Sequence, residues 1–144
     1  MELKVKRLTE SAILPTKNKT GDVGYDIYAD EDINRTSDTS ETIKTGIAIE
    51  LPEGYGALLV GRSGRTSQTP LRVNLGVIDN GYRGELLVMN DILTNGSRKI
   101  ERFKKGDKIA QLIIIPIIDL EVTEVETLSD SNRGDRGFGS SGLV

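Results

Sequence analysis

Asp79 and Tyr82 stand close together in Gly76-Val77-Ile78-Asp79-Asn80-Gly81-Tyr82-Arg83-Gly84-Glu85. An apolar approach leads into one carboxylate, an Asn-Gly pair, an aromatic ring and then a β-rich run. Asn-Gly between such runs is a strong hairpin signal, because both central residues of a type I′ turn need positive φ. A hairpin tip would present Asp79 and Tyr82 at one mouth, a carboxylate able to act as a base beside a flat ring able to read shape. The same residues suit a plain turn, since Asp, Asn and Gly populate turns for local reasons.

Composition narrows the chemistry. The 144 residues include no cysteine and no histidine. Disulfides, thiolate metal sites and a cysteine nucleophile are excluded, and a general base has to be a carboxylate, lysine or tyrosine. Zinc on protein ligands is disfavoured for the same reason. A net charge of −3 with both signs mixed argues against a nucleic-acid coat protein. Arginine nevertheless gathers as Arg62 with Arg65 and as Arg133 with Arg136, small basic foci that suit a compact anion. The longest apolar run, 109–118, is broken by Gln111 and Pro116 and is too short to span a bilayer. Met1-Glu2-Leu3-Lys4 lacks a signal-peptide core. A cytoplasmic protein with neither nucleic-acid nor membrane partners is expected.

Three further stretches carry polar groups in useful patterns. Gly61-Arg62-Ser63-Gly64 follows a strand-like run and opens the best helical candidate, a single turn after Ser63. Free N–H groups at a helix start, a hydroxyl and a guanidinium together make a phosphate cradle, although four such residues also make an ordinary loop. In Gly106-Asp107-Lys108-Ile109-Ala110-Gln111-Leu112-Ile113, Gln111 is a polar residue among apolar ones and must find partners. Unpaired burial would cost about 1–3 kcal/mol. Finally, Arg133-Gly134-Asp135-Arg136-Gly137-Phe138-Gly139-Ser140-Ser141-Gly142 is rich in glycine and has almost nothing to bury. Its glycines admit an anion to the backbone, its serines are donors, and Phe138 offers a face on which a base gains about 1–3 kcal/mol by stacking. A flexible terminus has the same composition.

The elements that must position these groups read as β throughout. Strands are expected near residues 3–5, 24–29, 43–49, 56–60, 71–77, 85–89, 98–103, 108–118 and 121–127, with a polar loop at 34–41. Short strands at regular spacing with Gly, Pro and Asn punctuation indicate an all-β sandwich or barrel. Pro116 marks an edge or bulge. Residues 1–128 are expected to form one domain, with 129–144 as a flexible C-terminal arm.

Five segments, in order, resemble the five motifs of the trimeric deoxyuridine triphosphate nucleotidohydrolases (dUTPases) of bacterial or phage type. They are Val23-Gly24-Tyr25-Asp26-Ile27, Gly61-Arg62-Ser63-Gly64, then 76–85, 106–113 and 133–142. The resemblance implies an all-β, jelly-roll-like β-barrel assembled as a homotrimer with shared active sites. It implies dUTP diphosphatase activity, dUTP + H₂O → dUMP + pyrophosphate, by water attack at the α-phosphate. That reaction lowers dUTP and supplies dUMP for dTTP synthesis.

By the same resemblance Asp79 activates the water, Tyr82 packs under the deoxyribose and rejects ribonucleotides, and the backbone around Gly76 reads uracil, with Asn74 left open. Arg62, Ser63 and Gly64 bind phosphate, and Gln111 contacts it directly. Asp26 acts through the water shell of a Mg²⁺ ion that the triphosphate holds, so no residue is expected as a direct metal ligand. Arg133, Phe138, Gly139, Ser140 and Ser141 close over phosphate and base.

Gly61 stands where the family usually has proline, Arg65 replaces a usually apolar residue, and Arg136 is an added charge. Arg65 could add phosphate affinity or simply face solvent. Two rivals remain: a dCTP deaminase, which would need a catalytic Glu in place of the Asp stretch, and a nucleotide-binding module that regulates another protein without catalysis.

Overall fold

Period-two alternation builds the strands. In β8 (Glu85–Ile92), Leu86, Val88, Asn90 and Ile92 are buried while Leu87 and Met89 are exposed. The computed structural model describes residues 1–35, 40–93, 101–137, 139 and 142. One four-stranded sheet runs β1 (Lys4–Arg7), β4 (Glu41–Glu50), β8 and β6 (Leu71–Val73). The other runs β2 (Tyr25–Tyr28), β10 (Lys108–Pro116), β5 (Tyr55–Val60) and β7 (Gly76–Ile78). A two-stranded ribbon pairs β3 (Ile33–Arg35) with β9 (Glu101–Phe103). These pairings are antiparallel.

Ile27, Leu59, Ile109 and Leu112 of one sheet share a buried cluster with Ile43, Ile47, Leu86 and Val88 of the other. The fold is all-β, in agreement with the pattern of the sequence, and jelly-roll-like, as the resemblance implies. The one described helix is α1 (Ser63–Gln68), the turn anticipated after Ser63.

Several boundaries differ from the sequence reading. The expected strand 71–77 is two strands, β6 and β7, which the chain places in different sheets across Asn74 and Leu75. Residues 76–85 accordingly do not form a paired hairpin, because β7 hydrogen-bonds to β5 while β8 lies between β4 and β6. A turn is present, closed by Tyr82 N–H on the Asp79 carbonyl at 3.0 Å, but Gly81 lacks the positive φ that type I′ requires. No strand forms at 121–127, where Val122 is 97% exposed and finds no apolar partner face. Ile33 to Arg35 is strand where a loop was expected from residue 34, and residues 36–39 and 94–100 lie outside the described set. Pro116 ends β10 beyond the reach of β2, which pairs only with residues 108–112, so its missing N–H disrupts no ladder on that side.

β4 bulges opposite β8 between Lys44 and Ala48. Gly46 makes this possible with φ +67°, and a Cβ there would lie 2.5 Å from Asp30 Oδ2 and 2.9 Å from Ala12 Cβ. The Asp30 side chain, only 5% exposed, accepts bonds from Thr9 Oγ1 at 2.6 Å and Ser11 Oγ at 2.7 Å, with Lys105 Nζ at 3.8 Å. Burial raises its pKa, but the two hydroxyls and Lys105 outweigh burial and hold it below the usual 3.8. A depressed carboxyl contributes stability in full above its unfolded value, and loses it as pH falls through the folded value. Asp30→Asn is therefore expected to lower the urea midpoint at neutral pH and to flatten its decline below pH 3.8. An unchanged acid limb in a urea–pH titration would contradict this role.

Candidate functional site

Strand register performs the first part of the assembly. Asp26 on β2 lies opposite Gln111 on β10, and Gln111 lies opposite Val60 on β5, so the three share the outward face of neighbouring strands. Beyond Val60 the chain turns, and Arg62, with extended φ −100° and ψ 136°, caps α1. No residue of α1 is buried and no side chain caps its start. Its position rests instead on Arg65, whose Nε donates to the Lys108 carbonyl at 2.9 Å. The same guanidinium sits 3.4 Å from Asp107 Oδ2 and 5.3 Å from the centre of the Phe103 ring. Arg65 thus fastens the helix to the β9–β10 turn.

Asp26 is the node of the cluster. Its side chain is 14% exposed, Oδ1 accepts Arg62 Nε at 2.8 Å, and Oδ2 accepts Lys108 Nζ at 2.8 Å. The hydrogen bond to Asp26, followed by its charge, raises the Lys108 pKa above the usual lysine value. Arg62 uses Nε for Asp26, and among the described residues its terminal Nη groups carry no bond. Gln111 Nε2 donates to the Gly61 carbonyl at 2.9 Å, so the polar residue in an apolar strand is partnered. Its Oε1 presses on Gly24, where a Cβ would sit 2.3 Å away.

Arg62, Asp26, Gln111, Ser63 and Gly64 line a cleft of about 300 Å³. First-turn N–H groups of a helix have no intrahelical acceptor, and Gly64 faces open space. The cleft thus offers guanidinium, hydroxyl, amide and backbone donors to an anion.

The Asp79 turn is built separately and firmly. Asn80 Nδ2 bridges the carbonyls of Pro52 and Tyr55, both at 2.8 Å. Arg83 Nη1 donates to the carbonyls of Asn80 at 2.7 Å and Tyr82 at 3.1 Å. Tyr82 Oη reaches the Glu85 carbonyl at 2.7 Å, and its ring covers Gly84. Glu85 Oε1 in turn accepts the Gly46 N–H at 2.9 Å, tying the turn to the β4 bulge. Asp79 is exposed, and its carboxylate has no bonded partner among the described residues. Gly76 pairs with Leu59 on β5, and Asn74 is exposed with its N–H on the Met89 carbonyl.

Turn and cleft do not meet within one chain. Pairing of Ile78 with Ala57 sets Asp79 beside Gly56, whereas Arg62 lies past the other end of β5. At about 3.3 Å per residue, Gly56 and Arg62 are separated by about 20 Å. Neither Asp79, Tyr82 nor Arg133 lines the cleft. In the tail Arg133 donates to the carbonyls of Arg136 at 3.1 Å and Gly137 at 3.0 Å, and Arg136 Nε returns a bond to the Arg133 carbonyl at 2.8 Å. Gly139 has φ +79° and accepts the Gly142 N–H at 3.0 Å. Phe138, Ser140 and Ser141 lie outside the described residues.

Sequence reasoning missed Lys108, Gly24 and Asn80 as contributors. Lys108 and Gly24 lie within stretches singled out for chemistry, but their roles depend on strand register.

The family model for dUTPase matches residues 10–142. The chain belongs to the dUTPase family. It is 43% identical, over all of its length and 99% of the relative's, to a deoxyuridine 5'-triphosphate nucleotidohydrolase of Gloeothece citriformis. Its fold superposes with a TM-score of 0.88 on a dUTPase mutant of Staphylococcus bacteriophage 80alpha with dUpNHpp, at 35% identity and covering 99% of both chains. A mutant dUTPase from phage phi11 of S. aureus, described for its coordination of a structural Mg(II) ion, matches with a TM-score of 0.78. That match has 35% identity and covers 88% of this chain and 98% of the phage protein.

For this dUTPase, the Gly24–Gln111 contact makes a direct prediction. Gly24→Ala keeps the fold, because the first atoms it meets are the end of a side chain, but displaces the Gln111 amide from the cleft. Calorimetry is expected to show binding of pyrophosphate, as an anion probe of the cleft, weakened about tenfold, the scale of one lost hydrogen bond, with the urea midpoint lowered modestly as the Gln111–Gly61 bond is disturbed. Parental pyrophosphate affinity in Gly24→Ala would show that the Gln111 amide is not an anion donor of the cleft.

Proposed function

We propose that the chain hydrolyses dUTP to dUMP and pyrophosphate, by attack of water on the α-phosphate, in an assembly of identical subunits. The cleft of Arg62, Ser63, Gly64 and Gln111 carries this reading, because its converging donors suit a chain of phosphates. Family membership supplies the reaction. Asp79 is the general base: it is exposed, free of bonded partners among the described residues, and held by a turn fastened through Asn80 and Arg83. The Tyr82 ring, 41% exposed and fixed by its hydroxyl, packs under the deoxyribose and leaves no room for the extra hydroxyl of a ribonucleotide. Backbone around Gly76 reads the uracil edge, and Asn74 lies within reach of the same strand end. Arg62 and Gln111 hold phosphate oxygens, while Ser63 and Gly64 support the developing charge on the leaving pyrophosphate.

The length of β5, about 20 Å of strand between Gly56 beside Asp79 and Arg62, supports a site shared between subunits, since adjacent phosphates of one dUTP lie only a few ångströms apart. An uncovered apolar series, including Ile118, Leu120, Val122 and Leu128, each at least 76% exposed, is consistent with burial against further copies. A homotrimer is the assembly proposed. Residues 1–128 form its body, and residues 129–144 form an arm whose Arg133, Phe138, Gly139, Ser140 and Ser141 close over a neighbouring subunit's substrate and exclude water.

Mg²⁺ is the proposed cofactor. Among the described residues no group of three or more acidic side chains is placed to hold an ion. Asp26 fits an indirect role, because each of its oxygens already takes one cation and keeps a lone pair for a water molecule. When bound through the triphosphate, the ion would supply charge neutralisation. No described helix is long and apolar enough to cross a membrane, and the cytoplasm is the proposed setting.

A panel of dUTP, dTTP, dCTP and UTP with Mg²⁺ is expected to give pyrophosphate from dUTP alone. Ammonia from dCTP, or no turnover of dUTP, would overturn the reading. Asp79→Asn should lower turnover by about 10²–10⁴-fold with the fold intact, as loss of a positioned base does. Deletion of 131–144 should leave the unfolding transition in place and severely reduce turnover, and parental kinetics in that truncation would remove the arm from the site.

A further inference from the structure

We infer that Lys108 is a positioning residue for substrate phosphate. By occupying Oδ2 of Asp26, it keeps the Asp26–Arg62 pair single-pronged and leaves the terminal nitrogens of Arg62 for the triphosphate. The inference rests on the phosphate role proposed above for Arg62.

An arginine beside a carboxylate tends to close into a fork, with two parallel N–H bonds to the two oxygens. Here the pair meets through one bond, Nε to Oδ1 at 2.8 Å. The second oxygen is engaged from the other side by Lys108 Nζ at 2.8 Å. Lys108 does not line the cleft; it opens onto a separate hollow of about 410 Å³ that it shares with Arg65 and Asp107, while Arg62 borders both spaces. The ammonium therefore reaches Asp26 from the side of the hollow, and Arg62 stands between hollow and cleft. Without Lys108, Oδ2 would be free to rotate onto an Arg62 Nη group and draw that donor out of the cleft.

The same residue steadies the second arginine. The Lys108 carbonyl accepts Arg65 Nε at 2.9 Å, so its backbone fixes α1 while its side chain fixes Asp26. Because that backbone bond survives substitution, side-chain variants isolate the Asp26 contact.

Lys108→Met, Lys108→Gln and Lys108→Arg separate this role from a general structural one. Lys108→Met is expected to raise the KM for dUTP and the Kd for dUpNHpp about tenfold, the scale of one charge-assisted hydrogen bond. Its kcat should change much less. Binding of deoxyuridine, which carries no phosphate, and the urea midpoint should stay near parental values. Lys108→Arg, which retains a charged donor, should restore phosphate affinity, and Lys108→Gln, a neutral donor, should fall between. If Lys108→Met does not fold, Lys108→Gln carries the same comparison. Parental dUpNHpp affinity in the folded variants, or equal loss of deoxyuridine binding, overturns the inference. Absence of dUTP turnover in the parental protein would instead overturn the reading of the site on which it rests.

Discussion

The length of β5 is the constraint on which the rest of the site depends. One end of this strand receives the Asp79 turn, through pairing of Ala57 with Ile78 and the Asn80 bonds to Pro52 and Tyr55. The other end delivers Arg62 to the cleft. An extended strand cannot shorten, because its rise per residue is set by backbone geometry. The Asp79 turn and the Arg62 cleft are thereby held rigidly apart, and on the proposed roles of base and phosphate cradle neither suffices for the chemistry. On the proposed function, association of subunits completes the site, so assembly and catalysis become one requirement.

Each half is stiffened by polar contacts that also belong to the fold. Glu85 ends the Asp79 stretch and its carboxylate holds the Gly46 amide in the β4 bulge. That bulge lies against Asp30, which anchors Thr9 and Ser11. At the other end, Asp26 and Gln111 face outward from strands whose inward neighbours, Ile27, Ala110 and Leu112, are fully buried. Close packing of those neighbours leaves little freedom for the polar side chains beside them. Preorganisation of this kind lets donors await an anion without reorganising.

Much of this was legible in the chain. The absence of histidine and cysteine left a carboxylate, lysine or tyrosine as the base, short strand-like runs at regular spacing indicated an all-β fold, and five ordered segments marked the family. Contacts that depend on register were not legible. Lys108 and Asp26 meet because β2 and β10 pair across an irregularity, and no local pattern records which residues oppose one another. The stretch 71–77 looked like one strand because both of its halves are apolar, yet the chain changes sheets inside it. Val122 and Val125 are β-branched residues that favour strands but have nothing to pack on within one chain. Propensity alone does not make a strand there.

Division of the site between subunits is most directly tested by mixing two inactive chains. On the proposed roles Asp79→Asn lacks the base and Arg62→Ala lacks the phosphate donor, but each retains what the other has lost. Co-refolded in equal amounts, mixed trimers would each contain one complete site, and random assembly should recover about a quarter of parental dUTP turnover. Activity no greater than the sum of the two separate variants, despite verified mixed assembly, would contradict a shared site.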